Sequence, residues 1–352
     1  MLFEETLEKI QPASKEAAKQ AQKHWDSLAK PLGSLGLLEE AVIRIAAITG
    51  NPEYVPDPCA VAVMCADNGV VAQGVTQTGS EVTALVAKNL AHGISSVNIM
   101  ARAAGADVLA VDVGMLHKIN EEGILQRSVA FGTQDMTKGP AMTREQALQA
   151  VEAGIETAQI LAERGYRLLA AGEMGIGNTT TGSAVASVLL DQPPERMTGR
   201  GAGLSREGLA RKISAIERAV ARNRPNPTDP LDVLAKVGGF DLGAMAGLFL
   251  GGAALRIPVM IDGFISSVAA LLAVRMCPVC QEYMLATHVS GEPAGGLVLN
   301  ALELKAFLTA GMRLGEGTGA MAALPVLKMA YAFYFQTATF EQIHMEPYQP
   351  QN

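Results

Sequence analysis

The sequence predicts an α/β fold, a parallel sheet with helices on both faces, plus a small helical domain formed by the two ends of the chain. Three observations predict it: apolar runs of strand length recur through the middle of the chain, segments with helical periodicity separate them, and both ends show helical periodicity alone. Near-continuous apolar strands that alternate with helices indicate a parallel sheet buried on both faces. We therefore expect a large α/β domain at 50–296 and a small helical domain built from 1–49 and 297–352.

The first elements of the chain are expected to be helices only. Within residues 1–49, Leu38, Val42 and Ile45 form one apolar stripe at helical spacing. The strands are expected to follow, and each candidate ends in acidic, glycine or polar residues before small residues and a further helix. The candidates are CAVAVMCAD (59–67), ADVLAVDVG (106–114), YRLLAAGE (166–173) and IPVMIDGF (257–264).

The segment 143–165 predicts one complete helix. Thr143 and Gln146 form a capping-box pattern, apolar residues then keep helical spacing, and Gly165 ends the helix. The longest apolar stretch, 242–255, is too short to cross a bilayer and predicts a buried helix. Beyond residue 297 we expect helices through LVLNALELKAFLTAGMRLG and AMAALPVLKMAYAFYF.

The composition excludes several classes of protein. Hydrophobic residues make up 49% of the 352 residues and charged residues 18%, which fits a globular chain with a large core. The net charge of −7, without a basic cluster, leaves no electrostatic footprint for nucleic acid. The first residues lack the apolar centre of a signal peptide. We therefore expect a cytoplasmic protein with neither a nucleic-acid nor a membrane partner.

The four cysteines suit a reducing compartment. Cys277 and Cys280 have the CxxC spacing of redox motifs and of half a zinc site. No second pair lies near them, and His288 alone does not complete the four ligands of a structural zinc site. We expect cysteines that pack in the core, and no metal.

The glycine-rich segment GEMGIGNTTTGSA (172–184) directly follows a predicted strand and is the strongest local signal. Gly175 and Gly177 allow a tight turn, and Asn178 or Thr179 would cap the next helix, whose free amides favour a phosphate. Its GxxGxG spacing is neither a dinucleotide fingerprint nor a P-loop, so a tight connection without a ligand stays open. Glu173, at the carboxyl end of the strand, either meets a ligand or holds the loop amides.

Two further loops carry polar groups. GRGAGLSREGLARK (199–212) brings Lys212 beside glycines, where it would neutralise a phosphate or lie solvated on a helix face. THVSGEPAG (287–295) offers His288 and Ser290 in a loop. No GxSxG elbow accompanies them, which argues against a nucleophilic serine triad.

The segment MRLGEGTGAM (312–321) places one carboxylate, Glu316, among glycines and small apolar residues. An ionised glutamate is costly to bury without a partner. Glu316 is therefore either a solvated turn residue or a group that meets a ligand close to the backbone.

Six segments occur in an order that resembles one known family, over essentially the whole chain. They are KPLGSLG (30–36), CADNGV (65–70), GEMGIGNTT (172–180), NPTDPLDVLAKVGGFDLGAMAG (226–247), DGFISSVAAL (262–271) and MRLGEGTGA (312–320). The sequence resembles the nicotinate-nucleotide:5,6-dimethylbenzimidazole phosphoribosyltransferases, which activate the lower ligand of cobalamin. The resemblance implies a Rossmann-like sheet, a dimer, and transfer of the phosphoribosyl group of nicotinate mononucleotide to an aromatic lower-ligand base.

The resemblance also implies roles for individual residues. Glu316 would be the general base that removes the proton of the incoming base, and Glu173 would lie beside the ribose and nicotinate. No metal or other cofactor is implied. Phosphate and ribose contacts are expected from Gly175, Gly177, Asn178, Thr179, Lys212 and Ser290, and acceptor contacts from Thr78, Val86, Met174 and Leu314.

One stretch departs from the better-known benzimidazole enzymes of this family. Their acceptor pocket carries a serine and, eight residues on, a glutamine, whereas the matching stretch GVTQTGSEVTALVAKNL (74–90) offers Thr78 and Val86. The loss of an amide makes that wall more apolar. A phenolic or purine acceptor, in a dimer of like or unlike subunits, therefore stays open beside 5,6-dimethylbenzimidazole. A non-catalytic nucleotide-binding subunit is a further alternative, although both glutamates are present.

Overall fold

A computed structural model of the chain, which describes residues 2–349, has a six-stranded parallel sheet at its centre. The strands are β1 Cys59–Ala66, β2 Ala106–Gly114, β3 Ile124–Gln126, β4 Leu168–Met174, β5 Val259–Ile261 and β6 Met284–Ala286. Their order in the sheet is β3-β2-β1-β4-β5-β6, which is the order of the Rossmann fold. The expected α/β fold with a parallel sheet is confirmed.

Helices cover both faces of this sheet. They are α1 Leu2–Lys9, α2 Lys15–Ser27, α3 Leu37–Thr49, α4 Glu81–Ala91, α5 Ser96–Ala104, α6 Arg144–Glu163, α7 Asn178–Leu189, α8 Pro194–Met197, α9 Arg206–Asn223, α10 Pro230–Val237, α11 Phe240–Ala254, α12 Phe264–Met276, α13 Gly295–Ala301 and α14 Thr318–Gln336.

Successive side chains of β1 point alternately to the two faces of the sheet. Ala60 and Ala62 belong to the apolar core with α6, α7, α11 and α12, whereas Val61 and Val63 belong to the core with α3, α4, α5 and α14. This alternation is expected because neighbouring side chains of a strand point to opposite faces. Every residue of β1 is buried, so the strand lies at the centre of the fold.

The helix predicted at 143–165 is confirmed as α6. The Thr143 side chain accepts the Gln146 amide, and the Gln146 side chain accepts the Thr143 amide, which completes the capping box. α6 packs backbone against backbone on α11, since a Cβ on Gly154 would stand 1.8 Å from the carbonyl oxygen of Ala244. The buried helix predicted at 242–255 is α11.

Two predictions about elements need correction, and two elements were missed. The strand predicted at 257–264 is only Val259–Ile261, because Pro258 has no amide to donate and α12 already begins at Phe264. The short edge strands β3 and β6 were not predicted. The helix predicted through LVLNALELKAFLTAGMRLG ends at Ala301. The next residues as far as Gly317 form an irregular segment, because Glu303, Glu316 and three glycines have positive φ.

The two chain ends pack in different places. α2, α3 and α14 belong to the core on one face of the sheet, with α14 against α3 and α5, whereas α1 packs on α6 and α11. The division into a large and a small domain stays a prediction. Among residues 2–349, no helix has both the length and the apolar character needed to cross a membrane.

Candidate active site

A cavity lies at the carboxyl end of the sheet, beside the point where the strand order reverses between β1 and β4. Residues that follow β4, β5 and β6 line it, together with residues of the segments 75–78, 200–212 and 312–318. Open α/β sheets bind ligands at this position, because the loops after two neighbouring strands separate there. The cavity is therefore the candidate active site.

All but two of the residues predicted for the site line this cavity. They are Thr78, Glu173, Met174, Gly175, Gly177, Asn178, Thr179, Lys212, Ser290 and Leu314. Residues from five separate segments of the sequence thus meet at one end of the sheet.

Glu316 and Val86 are not among the lining residues. Glu316 is half-buried, with φ of +60°, and its Oε2 accepts the amide of Val97 at 3.3 Å, at the start of α5. Val86 is half-buried on α4. Leu314, which precedes Glu316 by two residues, does line the cavity. The predicted base therefore lies at the border between the cavity and the α4–α5 face.

The glycine-rich loop joins β4 to α7 as predicted, but its cap differs. The N-cap of α7 is Gly177, with φ of +94°, and Asn178 and Thr179 are already inside the helix, so the expected side-chain cap was wrong. The loop is held from α4, where the Thr83 hydroxyl accepts the Ile176 amide at 3.1 Å. The amides of Asn178 and Thr180 donate to the carbonyls of Gly175 and Gly177, so the amide of Thr179 is the one in the first turn of α7 that is available to an anion.

Glu173 is a buried acid at the end of β4. The side-chain amide of Asn178 donates a hydrogen bond to its Oε2. Burial, followed by the negative charge of Asp241, raises the pKa of Glu173 well above its usual value, and the Asn178 hydrogen bond only partly offsets this. Burial and the neighbouring charge therefore both favour the neutral form of this carboxyl group in the free protein.

Lys212 is a buried cation beside the start of α7. It is 1% exposed, and its Nζ donates to Thr179 Oγ1 at 2.8 Å and to the Gly199 carbonyl at 3.2 Å. Burial lowers the pKa of Lys212 to about 8, which Glu292 partly opposes. An ammonium group next to the free Thr179 amide at a helix start is a suitable environment for a phosphate.

Two buried acids of the site were not predicted. Asp262 follows β5 and lines the cavity, whereas Asp241 lies on α11 beneath Glu173. Burial raises the pKa of each to about 6. The signal for Asp262 was present in the sequence, since it is the first residue after a predicted strand core; Asp241 had no such signal.

Ser290 and His288 approach the same cavity from the loop after β6. Ser290 is 9% exposed, and its Oγ accepts the Glu292 amide at 3.3 Å. His288 is 4% exposed, and burial lowers its pKa, so its imidazole is neutral at neutral pH. Within residues 2–349, no cluster of three or more His, Cys, Asp and Glu side chains is arranged to hold a metal ion.

Comparison with known proteins gives consistent matches over the full length. A family described as Phosphoribosyltransferase matches residues 10–344. The nicotinate-nucleotide–dimethylbenzimidazole phosphoribosyltransferase of Ruminiclostridium cellulolyticum is 47% identical over 99% of both chains, and that of Acetivibrio thermocellus is 48% identical over 100% of both. The solved structure of the Thermus thermophilus enzyme of that name has a TM-score of 0.89 at 40% identity, covering 95% of this chain and 100% of that one.

Proposed function

The chain belongs to the nicotinate-nucleotide–dimethylbenzimidazole phosphoribosyltransferase family, and from this premise we propose that it transfers the phosphoribosyl group of nicotinate mononucleotide to a lower-ligand base in cobamide biosynthesis. The observation that carries the proposal is the arrangement of the cavity, with a buried cation and an uncapped helix start on one side and the Glu316 segment on the other. The products are an α-riboside phosphate and nicotinate.

The donor is proposed to bind through its phosphate at the start of α7. The Thr179 amide and the ammonium of Lys212 supply donors and positive charge, and Ser290 adds a hydroxyl from the opposite loop. The ribose and pyridinium ring then lie towards Glu173. A pyridinium ring is positively charged, so its arrival favours the ionised form of the buried Glu173 carboxyl.

Glu316 is proposed to act as the general base. A nitrogen lone pair of the acceptor attacks C1′ while the bond from C1′ to nicotinate breaks, and the acceptor proton passes to the Glu316 carboxylate. Nicotinate leaves from a pyridinium and needs no strong acid. In the free protein, Oε2 of Glu316 is held by the Val97 amide, and Oε1 has no hydrogen-bonding partner within residues 2–349. The free oxygen is the atom that we expect to take the proton.

The identity of the acceptor is the open part of the proposal. Thr78 lines the cavity and Val86 lies on α4 outside its lining, so neither position offers the amide that the benzimidazole enzymes of the family carry. 5,6-Dimethylbenzimidazole is the first candidate, because the relatives are named for it. A phenol or purine is the second, because the amide of the benzimidazole enzymes is absent at position 86.

One assay tests both parts of the proposal. The protein is mixed with nicotinate mononucleotide and, separately, 5,6-dimethylbenzimidazole, adenine, phenol and p-cresol, and the products are separated and weighed. Nicotinate release with a base-dependent riboside phosphate supports the transfer, and the Glu316→Gln variant is the matched control. Binding of nicotinate mononucleotide without release of nicotinate under any condition would instead support a non-catalytic subunit.

We propose that the protein acts as a dimer, as the family resemblance implies. Three large apolar side chains of the α4–α5 region are exposed, namely Leu85 at 59%, Ile94 at 62% and Ile99 at 58%. An exposed apolar patch favours association. Sedimentation of the unaltered protein and of Leu85→Lys checks this, since a monomer in both samples contradicts the proposal.

A further inference from the structure

Asp262 is a buried acid that the proposed mechanism does not use. It directly follows β5, is 3% exposed and lines the cavity. Buried carboxylates are retained only where hydrogen bonds or charges compensate the loss of water. The partners of Asp262 therefore indicate what it does.

The partners of Asp262 are backbone amides at the start of α14. Its Oδ2 accepts the amide of Gly317 at 3.2 Å, and its Oδ1 accepts the amide of Ala320 at 3.0 Å. The N-cap residue of α14 is Gly317, which has no side chain to satisfy these amides. Asp262 thus replaces the missing cap and connects the start of α14 to the end of β5.

The close approach depends on the neighbouring residue. A Cβ on Gly319 would stand 1.9 Å from the His288 ring and 2.8 Å from Asp262 Oδ1, so only glycine fits beside these two side chains. Burial raises the pKa of Asp262 to about 6, and the α14 amides oppose that rise. Asp262 is therefore charged at neutral pH.

The residue that Asp262 constrains is Glu316. Glu316 immediately precedes Gly317, and both residues have left-handed backbone, with φ of +60° and +95°. On the other side, a Cβ on Gly172 would stand 2.6 Å from the Glu316 carbonyl oxygen, so β4 also restricts this backbone. Fixing the Gly317 amide therefore fixes the direction in which the Glu316 side chain leaves the backbone.

We propose that Asp262 is a positioning residue for the transfer reaction and acts through Glu316. Its hydrogen bonds hold the left-handed Glu316–Gly317 backbone so that the Glu316 carboxylate stays at the border of the cavity. The inference rests on the proposed function, because it assigns to Asp262 the task of presenting the proposed base.

A double-mutant cycle tests the inference. The Asp262→Asn variant keeps the size of the side chain but places an amide donor where a backbone amide must be accepted. We expect kcat to fall about 10- to 100-fold, the loss that small misplacements cause, while KM for nicotinate mononucleotide changes less than about twofold, as for a loss confined to the transition state. The kcat of the double variant should be less than about threefold below that of Glu316→Gln alone, because the effects of substitutions in residues that act as a unit are not additive.

Asp112→Asn is the matched control. Asp112 is also buried at the carboxyl end of a strand, and its Oδ1 accepts the amides of Gly114 at 2.9 Å and Met115 at 3.0 Å, but it does not line the cavity. We expect both variants to lose thermal stability and only Asp262→Asn to lose kcat. If Asp262→Asn does not fold, Asp262→Ser keeps one acceptor and should show the same pattern.

The outcomes separate this inference from the proposed function. No nicotinate release by the unaltered protein overturns both. Nicotinate release by the unaltered protein, with unchanged kcat in Asp262→Asn, overturns the role of Asp262 alone. That role is also overturned if the kcat losses of Asp262→Asn and Glu316→Gln simply multiply in the double variant.

Discussion

Gly315 lies against the carboxyl group of Glu173, so that a Cβ on Gly315 would stand 2.4 Å from Glu173 Oε1. The segment that carries Glu316 thus packs directly on the end of β4, where Glu173 is held. Glu173 and Glu316 are the two predicted catalytic acids, and Glu173 is therefore buried beneath the backbone segment that carries Glu316. Substitutions in the glycine segment should disturb both acids together.

Gly315→Ala should lower both stability and activity. Gly315 has φ of +93°, and the new methyl group would also collide with Glu173. Positive φ alone costs a non-glycine residue about 1–2 kcal/mol. We expect a larger loss in the free energy of unfolding, measured with urea, and a fall in kcat.

Gly311→Ala separates the two causes. Gly311 also has positive φ, +65°, but a Cβ there would have no neighbour within 4 Å. The free energy of unfolding of Gly311→Ala should therefore fall only by the cost of positive φ, and its kcat should not change. Equal losses of stability and activity in the two alanine variants would show that the contact with Glu173 does not matter.

Glu316→Gln should bind nicotinate mononucleotide normally and turn over slowly. The amide keeps the shape of the side chain but cannot take a proton, and general base catalysis contributes about 10²- to 10⁴-fold in rate. Isothermal titration should give an unchanged dissociation constant for nicotinate mononucleotide while kcat falls within that range. Near-normal turnover would exclude Glu316 as the base.

Several parts of the fold follow from local sequence, and others depend on contacts that no local pattern contains. β1, β4 and α6 were predictable because their apolar runs and caps lie within one segment. The edge strands β3 and β6 have three residues each, too few for a strand pattern to emerge. The segment 302–317 has helix-like apolar spacing, but its path is set by left-handed residues and by the bridge between His288 and Leu308.

In the candidate site, too, some residues are predictable from a local sequence pattern and others depend on tertiary contacts. Glu173, Gly177 and Lys212 lie in glycine-rich segments, and a glycine loop after a strand is a local pattern that indicates a ligand site. Asp262 caps a helix that begins 56 positions later in the chain, at Thr318. Such a pairing depends on the tertiary fold, so one sequence alone does not reveal it.

Lys212 should give the reaction an alkaline limit. Its pKa is lowered to about 8, so the ammonium is charged below that pH and loses its charge as the pH rises through it. We expect kcat/KM for nicotinate mononucleotide to fall above pH 8, by up to about tenfold per pH unit for the loss of one proton. Rates from pH 6 to 10 measure this.

Lys212→Arg and Lys212→Met distinguish charge from shape. A guanidinium stays protonated over the whole range, so the arginine variant should lose the alkaline limit even if its rate is lower throughout. The methionine variant should be slow at every pH. An alkaline limit that persists unchanged in Lys212→Arg would assign it to another group.

Val86→Gln should shift the choice of acceptor. The amide would restore the polar group that the benzimidazole enzymes of the family carry at this wall, and a hydrogen bond to a ring nitrogen contributes about 0.5–1.5 kcal/mol. We expect the ratio of kcat/KM for 5,6-dimethylbenzimidazole to that for p-cresol to rise about two- to tenfold. Lys88→Gln, which adds an amide at an exposed position of the same helix, is the control. A ratio that changes equally in both variants would place Val86 outside the acceptor wall.

Asp241→Asn should remove part of the pH dependence of stability. Burial raises the pKa of Asp241 to about 6 from an ordinary value near 4, so between these pH values the folded state holds a proton that the unfolded state has released. The stability that this proton confers is complete below pH 4 and is lost as the pH rises through 6. A pKa shift of two units corresponds to about 3 kcal/mol. The difference between the free energies of unfolding at pH 4.5 and at pH 7, measured in urea, should therefore be smaller in the variant than in the unaltered protein, by a fraction of that amount. The exposed Asp191→Asn should leave the difference unchanged, and an equal pH dependence in Asp241→Asn and the unaltered protein would show that Asp241 does not take up the proton.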